Sequence, residues 1–218
     1  MVGGARLARF RVVLHIVLTL AVLSGVANAQ DTEALFEEAQ RAQLGIDAPR
    51  DLRKAIELYL KVVKRDSRHR DARYNLAYLC FIQKRYDLAE KYYREVLKLD
   101  SEDADAYNNL GTVYERQGKT EAAERLYRQA VRVSPDVATP YYNLARLHYG
   151  RGEEAEARTA IEKALNLEPE NEVFIKMHAE VLGTLGGLSN TTILAVLGGF
   201  GGVLGVYTVL YLKGKVLG

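Results

Sequence analysis

The chain has 218 residues, of which 48% are hydrophobic and 27% charged, and these fractions are those of a globular protein with one or two domains. Its net charge of +2 comes from the ends: residues 1–29 hold three basic residues and no acidic one, so the remainder carries −1, or −3 without Lys213 and Lys215. No surface suited to following a phosphate backbone is expected, which excludes nucleic acid as the partner.

Residues 1–29 predict a secretory signal peptide. Arg6, Arg9 and Arg11 precede the apolar stretch 12–26, and Ala27-Asn28-Ala29 fits a signal-peptidase site with cleavage before Gln30. An uncleaved membrane anchor is the alternative, although the apolar run is short for a span. A mitochondrial presequence is disfavoured because such segments are amphipathic. Since an exported protein has no use for an exposed unpaired thiol, the single cysteine, Cys80, is expected to be buried.

The middle of the chain is repetitive. Alanines recur every 34 residues in the segments "KAIELYLKVVKRDS", "LAEKYYREVLKLDS", "AAERLYRQAVRVSP" and "EARTAIEKALNLEP". A fixed period of that length, with helical spacing inside it, predicts an all-α solenoid of helix-turn-helix units. Three of the segments are preceded by a second helical pattern. Each of these patterns contains a leucine followed by a small residue, at Leu76-Ala77, Leu110-Gly111 and Leu144-Ala145. The small residue is needed because two helices cross closely there.

These features resemble the tetratricopeptide repeat (TPR) family, which also places a large residue four positions after the small one, here Tyr59, Tyr93, Tyr127 and Ile161, and a proline between repeats, here Pro135 and Pro169. Ser67 and Ser101 replace proline at the earlier joints. The resemblance covers three clear repeats, about 70–171, and a degenerate first repeat, about 32–69, whose turn is lengthened around Gly45 and Pro49. A capping helix is expected from Asn171, with Phe174, Met177 and Val181 on one face, which places the solenoid at 30–182.

The sequence offers no case for an enzyme. It contains no zinc-protease, paired-cysteine, nucleophile-elbow or phosphate-loop motif, and acidic pairs such as Glu153-Glu154 fit a solvated helix surface. His148 stands where Cys80 and Tyr114 stand in their repeats, so we expect a packed histidine rather than a ligand or base. No catalytic residue, metal, cofactor or small-molecule substrate is predicted.

The resemblance implies a groove that is lined by the first helix of each repeat and binds a protein segment, either extended or helical. Asn75, Asn109 and Asn143 share one groove position and would form a ladder that binds an extended peptide backbone, or would only bridge neighbouring helices. Aromatic residues are expected at both ends of the groove. The lysines and arginines of the family's carboxylate clamp are replaced by Tyr74, Tyr78, Thr139 and Asn143, which disfavours an acidic chaperone tail as partner. The groove residues predicted to bind are Tyr74, Asn75, Tyr78, Phe81, Asn108, Asn109, Thr112, Tyr142, Asn143, Arg146 and Tyr149.

The end of the chain predicts one membrane span. No charge occurs in residues 191–212, and 22 helical residues reach about 33 Å, enough to cross a bilayer core. Residues 183–190 form a short linker and residues 213–218 a basic tail, which places the tail in the cytoplasm and the repeats outside it. The span has a face of small residues that a second helix could approach closely: Ala195, Gly198, Gly202 and Gly205.

Together these features predict a non-catalytic scaffold or assembly factor that binds a partner segment at a membrane surface, on the periplasmic side of a bacterial envelope. One alternative is an accessory subunit that joins a larger membrane complex through its glycine-rich span. Another is a tail-anchored organelle protein resembling the mitochondrial fission adaptor, which the N-terminal signal disfavours.

Overall fold

The computed structural model describes residues 28–183, which hold nine helices and no strand. They form two compact units, residues 28–84 and 85–183. The first unit contains α1 (28–44), α2 (Leu52–Arg65) and α3 (Arg70–Ile82). The second contains α4 (Tyr86–Leu99), α5 (Ala104–Arg116), α6 (Thr120–Val133), α7 (Ala138–Gly150), α8 (Glu154–Leu167) and α9 (Glu172–Val181).

Polar side chains fix where several helices begin. Asp51 and Asp103 accept hydrogen bonds from the backbone N–H groups three residues later, at 2.9 and 2.8 Å, and Asn171 caps α9 in the same way. These bonds satisfy donors that the first turn of a helix leaves unpaired. The start of the capping helix at Asn171 is therefore confirmed.

The 34-residue period is confirmed by burial within each unit. The four recurring alanines, Ala55, Ala89, Ala123 and Ala157, are fully buried. The large residues that follow them, Tyr59, Tyr93, Tyr127 and Ile161, are at most 1% exposed. Each pair thus supplies one small and one large side chain to the contact between packed helices.

The turns between paired helices also repeat. The α5–α6 and α7–α8 turns each contain a glycine with φ near +76°, Gly118 and Gly152, and Lys84 takes the same left-handed conformation, at φ 60°, 34 residues earlier. In the degenerate first repeat the connection is longer, residues 45–51, and it has positive φ at Gly45 and Asp47. The lengthened turn at that place is confirmed.

Within the second unit, glutamates of α4 and α6 each bind side chains of the helical hairpin that comes next in the chain. Glu90 of α4 accepts a hydrogen bond from the hydroxyl of Tyr114 at 2.8 Å and pairs with Lys119 at 3.4 Å. At the equivalent position, Glu124 of α6 pairs with Arg151 at 2.6 Å. The ion pairs lower the pKa of Glu124, with the hydrogen bond from Arg151 as the main cause.

The last helix covers the apolar end of the second unit. Phe174, Met177 and Val181 of α9 are buried in one cluster with Ala157 and Ile161 of α8. Their spacing of three and four residues places them on one face of α9. The predicted cap and its packing face are confirmed.

Candidate protein-binding face

In the second unit, the predicted groove residues of α5 and α7 lie on adjacent helices and contact one another. We call this surface the groove face; its half-exposed or exposed members are Asp105, Asn109, Thr112, Glu115, Thr139, Tyr142, Arg146 and Tyr149. Asn108 and Asn143 lie beneath it and are each 8% exposed.

Asn143 joins the two helices of the groove face. Its Nδ2 donates a hydrogen bond to Oδ1 of Asn108 at 2.8 Å. In the first unit, Asn75 instead forms a hydrogen bond with Tyr59, whose pKa is raised by burial to about 12 even though this bond lowers it. Asn75 and Asn143 therefore each bind a side chain of another helix, and the binding of a peptide by the asparagine ladder remains a hypothesis.

An ion pair fixes the orientation of Arg146. Its two Nη atoms donate to Oε1 and Oε2 of Glu115 at 2.5 and 2.7 Å, a bidentate contact between α7 and α5. Partial burial opposes the charge of Arg146, but the hydrogen bonds and charge of Glu115 outweigh it and raise the pKa of Arg146. Nε of Arg146 has no partner among the described residues and can donate to a ligand.

Tyr127 contacts this ion pair from the buried side. Its ring is fully buried, and its hydroxyl donates to Oε2 of Glu115 at 2.9 Å and lies 3.2 Å from Oγ1 of Thr112. Burial raises the pKa of Tyr127, so the hydroxyl keeps its proton and acts as a donor. The repeat pattern identifies the ring of Tyr127 as a packing residue, but it does not identify the partner of its hydroxyl.

The predicted aromatic residues occupy different environments. Tyr149 on α7 and Tyr78 on α3 are each 40% exposed, whereas Tyr74 and Phe81 are half-buried. Tyr142 stacks on Phe174 of α9, with ring centroids 5.1 Å apart, so its ring packs against the cap.

One candidate was missed at the end of the groove face. Val173 on α9 lies 34 residues after Thr139 and is 56% exposed, although it is large and apolar. The capping helix therefore continues the repeat register, and an extension of the 34-residue period past Asn171 would have identified it.

Two side chains with potentially reactive groups, His148 and Cys80, lie in the interior. His148 is buried, and its Nδ1 lies 2.5 Å from Oε2 of Glu153, which agrees with a packed histidine; Cys80 is buried as expected. In the part of the chain that is described, no cluster of three or more His, Cys, Asp or Glu side chains could hold a metal ion.

The membrane-related predictions fall on other parts of the sequence. The signal peptide (except its last two residues, which begin α1), nearly all of the linker, the span 191–212 with Ala195, Gly198, Gly202 and Gly205, and the tail lie outside the described residues. Between residues 28 and 183, none of the helices combines the length and the hydropathy that crossing a bilayer requires.

Comparison with known proteins supports the repeat assignment. Tetratricopeptide repeat models match residues 70–136 and 108–172. No curated protein matches the chain.

Solved structures share the fold at low sequence identity. A crystal structure of MamA has a TM-score of 0.60 and 22% identity, and covers 71% of this chain and 84% of its own. A structure described as the functional characterization of Pseudomonas aeruginosa pilF has a TM-score of 0.64 and 22% identity, with coverages of 77% and 82%. MamA 41-end from Desulfovibrio magneticus RS-1 has a TM-score of 0.62 and 17% identity, with coverages of 84% and 96%.

Proposed function

We propose that this chain, whose residues 70–172 form tetratricopeptide repeats, is a non-catalytic scaffold that binds an extended segment of a partner protein on its groove face. The observation that carries the proposal is the bidentate pair between Glu115 and Arg146, which holds a polar recognition group rigidly beside the exposed ring of Tyr149. A side chain that is already ordered loses little entropy when a ligand binds.

Arg146 keeps one donor available for a peptide backbone. Its Nε can donate to a peptide carbonyl while both Nη atoms bind Glu115. Tyr149 and Val173 offer apolar contact area for the side chains of such a segment. Because Asp105 is also exposed here, a strongly acidic segment is disfavoured.

The proposed site of action is a membrane surface. The secretory signal and the uncharged segment 191–212 with its basic tail favour one topology, in which the repeats lie outside the cytoplasm and the tail inside it. A span that follows the repeats after a short linker would keep the groove face close to the bilayer, in the periplasm if the host is a bacterium.

The proposal is tested by capture of partners with the full-length chain in detergent solution. Tyr149→Ala removes an exposed ring from the groove face and should weaken capture of the specific partner about tenfold, as expected for an aromatic anchor. Leu99→Ala is the matched control, because Leu99 is exposed to a similar extent, 38%, on α4. Equal capture by both variants and the parent would contradict the proposal.

A second candidate function rests on the three-four-three spacing of Ala195, Gly198, Gly202 and Gly205, which favours close helix packing in a bilayer. In this case the chain is an accessory subunit that joins a larger membrane complex through its span. Replacement of the span by a leucine-rich one distinguishes the two: the scaffold keeps its partner, and the accessory subunit loses its complex.

A further inference from the structure

An apolar pocket of about 590 Å³ opens between α6 and α8, away from the groove face. Val131 of α6, Leu144 of α7 and Ala160 of α8 line it. Leu144 and His148 are four residues apart on one side of α7, whereas Arg146 and Tyr149 lie on another. The pocket is therefore a second surface, separate from the one proposed to bind a partner segment.

Two unpaired charges mark the ends of the pocket along α8. Glu156 and Lys163 both line it, and neither has an ionic partner among residues 28–183. They are seven residues apart, so they share one face of α8 and lie about 10 Å apart along its axis. Ala160 lies between them, where its small side chain leaves room for a larger one.

The outer face of α2 carries the complementary arrangement. Leu60 is 43% exposed, although it is a large apolar residue. Glu57 and Lys64, both exposed and without an ionic partner in the described part of the chain, lie three residues before it and four residues after it. α2 thus presents an acid and a base seven residues apart with a leucine between them.

We propose that α2 of one copy of the chain docks antiparallel to α8 of a second copy. Leu60 then enters the pocket at Ala160, Glu57 meets Lys163, and Lys64 meets Glu156. The antiparallel direction brings both charge pairs into register and also opposes the two helix dipoles. Every copy carries both Leu60 and the pocket, so the two copies contribute different surfaces to this contact.

Charge reversal tests this interface in the full-length chain by sedimentation in detergent solution over a range of concentrations. Glu57→Lys alone and Lys163→Glu alone should each weaken association at least tenfold. Both changes in one chain restore opposite charges across the contact and should recover it. Arg125→Glu on the exposed surface of α6 is the control and should leave association unchanged.

Disulfide trapping tests the register in a Cys80→Ser background. A Leu60→Cys chain mixed with an Ala160→Cys chain should form a disulfide between the two, whereas Leu60→Cys mixed with Thr139→Cys should not, because Thr139 lies on the groove face.

Several outcomes would overturn the proposal: a chain that is monomeric at every concentration, association that neither single reversal weakens, or a double variant that stays dissociated. A pocket that captures a different protein while the chain remains monomeric would also overturn it. Circular dichroism checks that each variant keeps its helices.

Discussion

Gly111 and Tyr127 show how single residues set the distance between paired helices. A Cβ atom at Gly111 would lie 2.6 Å from Cε1 of Tyr127, closer than real contacts allow. The ring cannot move away easily, because it is fully buried and its hydroxyl donates to Glu115 on the groove face. The glycine of α5 therefore positions a ring that in turn supports the candidate site.

We predict that Gly111→Ala destabilises the protein by about 1–3 kcal/mol, since the added methyl group overpacks a filled contact. Chemical unfolding followed by circular dichroism measures the change. Gly150→Ala is the matched control: Gly150 ends α7 and has open space around it, so alanine there should be neutral or slightly stabilising. Equal effects of the two substitutions would show that α5 does not approach Tyr127 closely.

The sequence predicted these packing residues because size and spacing are visible in it. Ala123, Tyr127 and Gly111 follow the 34-residue period, and burial enforces that period in every repeat. The positive φ of Lys84, 60°, could not be predicted from the residue type, because lysine rarely adopts the left-handed conformation. Only its position, 34 and 68 residues before Gly118 and Gly152, indicates it.

The capping helix α9 contains a largely buried histidine. Its packing face encloses His178, whose side chain is only 15% exposed and whose ring nitrogens make no hydrogen bond. Burial lowers the pKa of His178; Glu162, with Oε1 3.9 Å from Nε2, opposes this effect, and Arg158 adds to it. The folded protein thus favours the neutral imidazole.

We predict that acid weakens the attachment of α9. A histidine whose pKa is lower in the folded state than its ordinary 6.5 contributes stability that is present above pH 6.5 and is lost as the pH falls through the folded pKa. The free energy of unfolding of the parent should therefore fall between pH 7.5 and pH 5 more than that of His178→Leu. The other three histidines of the sequence, His15, His69 and His148, are present in both proteins, so the difference isolates His178. Identical pH profiles would refute the prediction.

The repeated asparagines show that one position in a repeat can have different hydrogen-bond partners. Asn75 and Asn143 occupy the same place in their repeats, yet one bonds to Tyr59 and the other to Asn108. Tyr127, the counterpart of Tyr59 in the helix before Asn143, donates its hydroxyl proton to Glu115 instead, so one repeat position acquires different partners. Periodicity predicted where the amides lie but not which of their donors and acceptors stay free.

The second unit carries two separate candidate binding surfaces. The groove face of α5 and α7, with Val173 of α9 in the same register, is proposed to bind a partner segment, and the pocket between α6 and α8 is proposed to bind a second copy. The first proposal depends on Arg146 and Tyr149, and the second on Glu156 and Lys163. Because no residue is shared, substitutions can disable either surface alone.

Photocrosslinking in cells tests whether the groove face binds a partner protein. A benzophenone amino acid is placed at Tyr149, on the groove face, and at Leu99, exposed on α4, in separate full-length chains. We expect a discrete protein adduct from position 149 that position 99 does not give and that Arg146→Ala weakens. The absence of any adduct at position 149, or the same adducts from both positions, would contradict it.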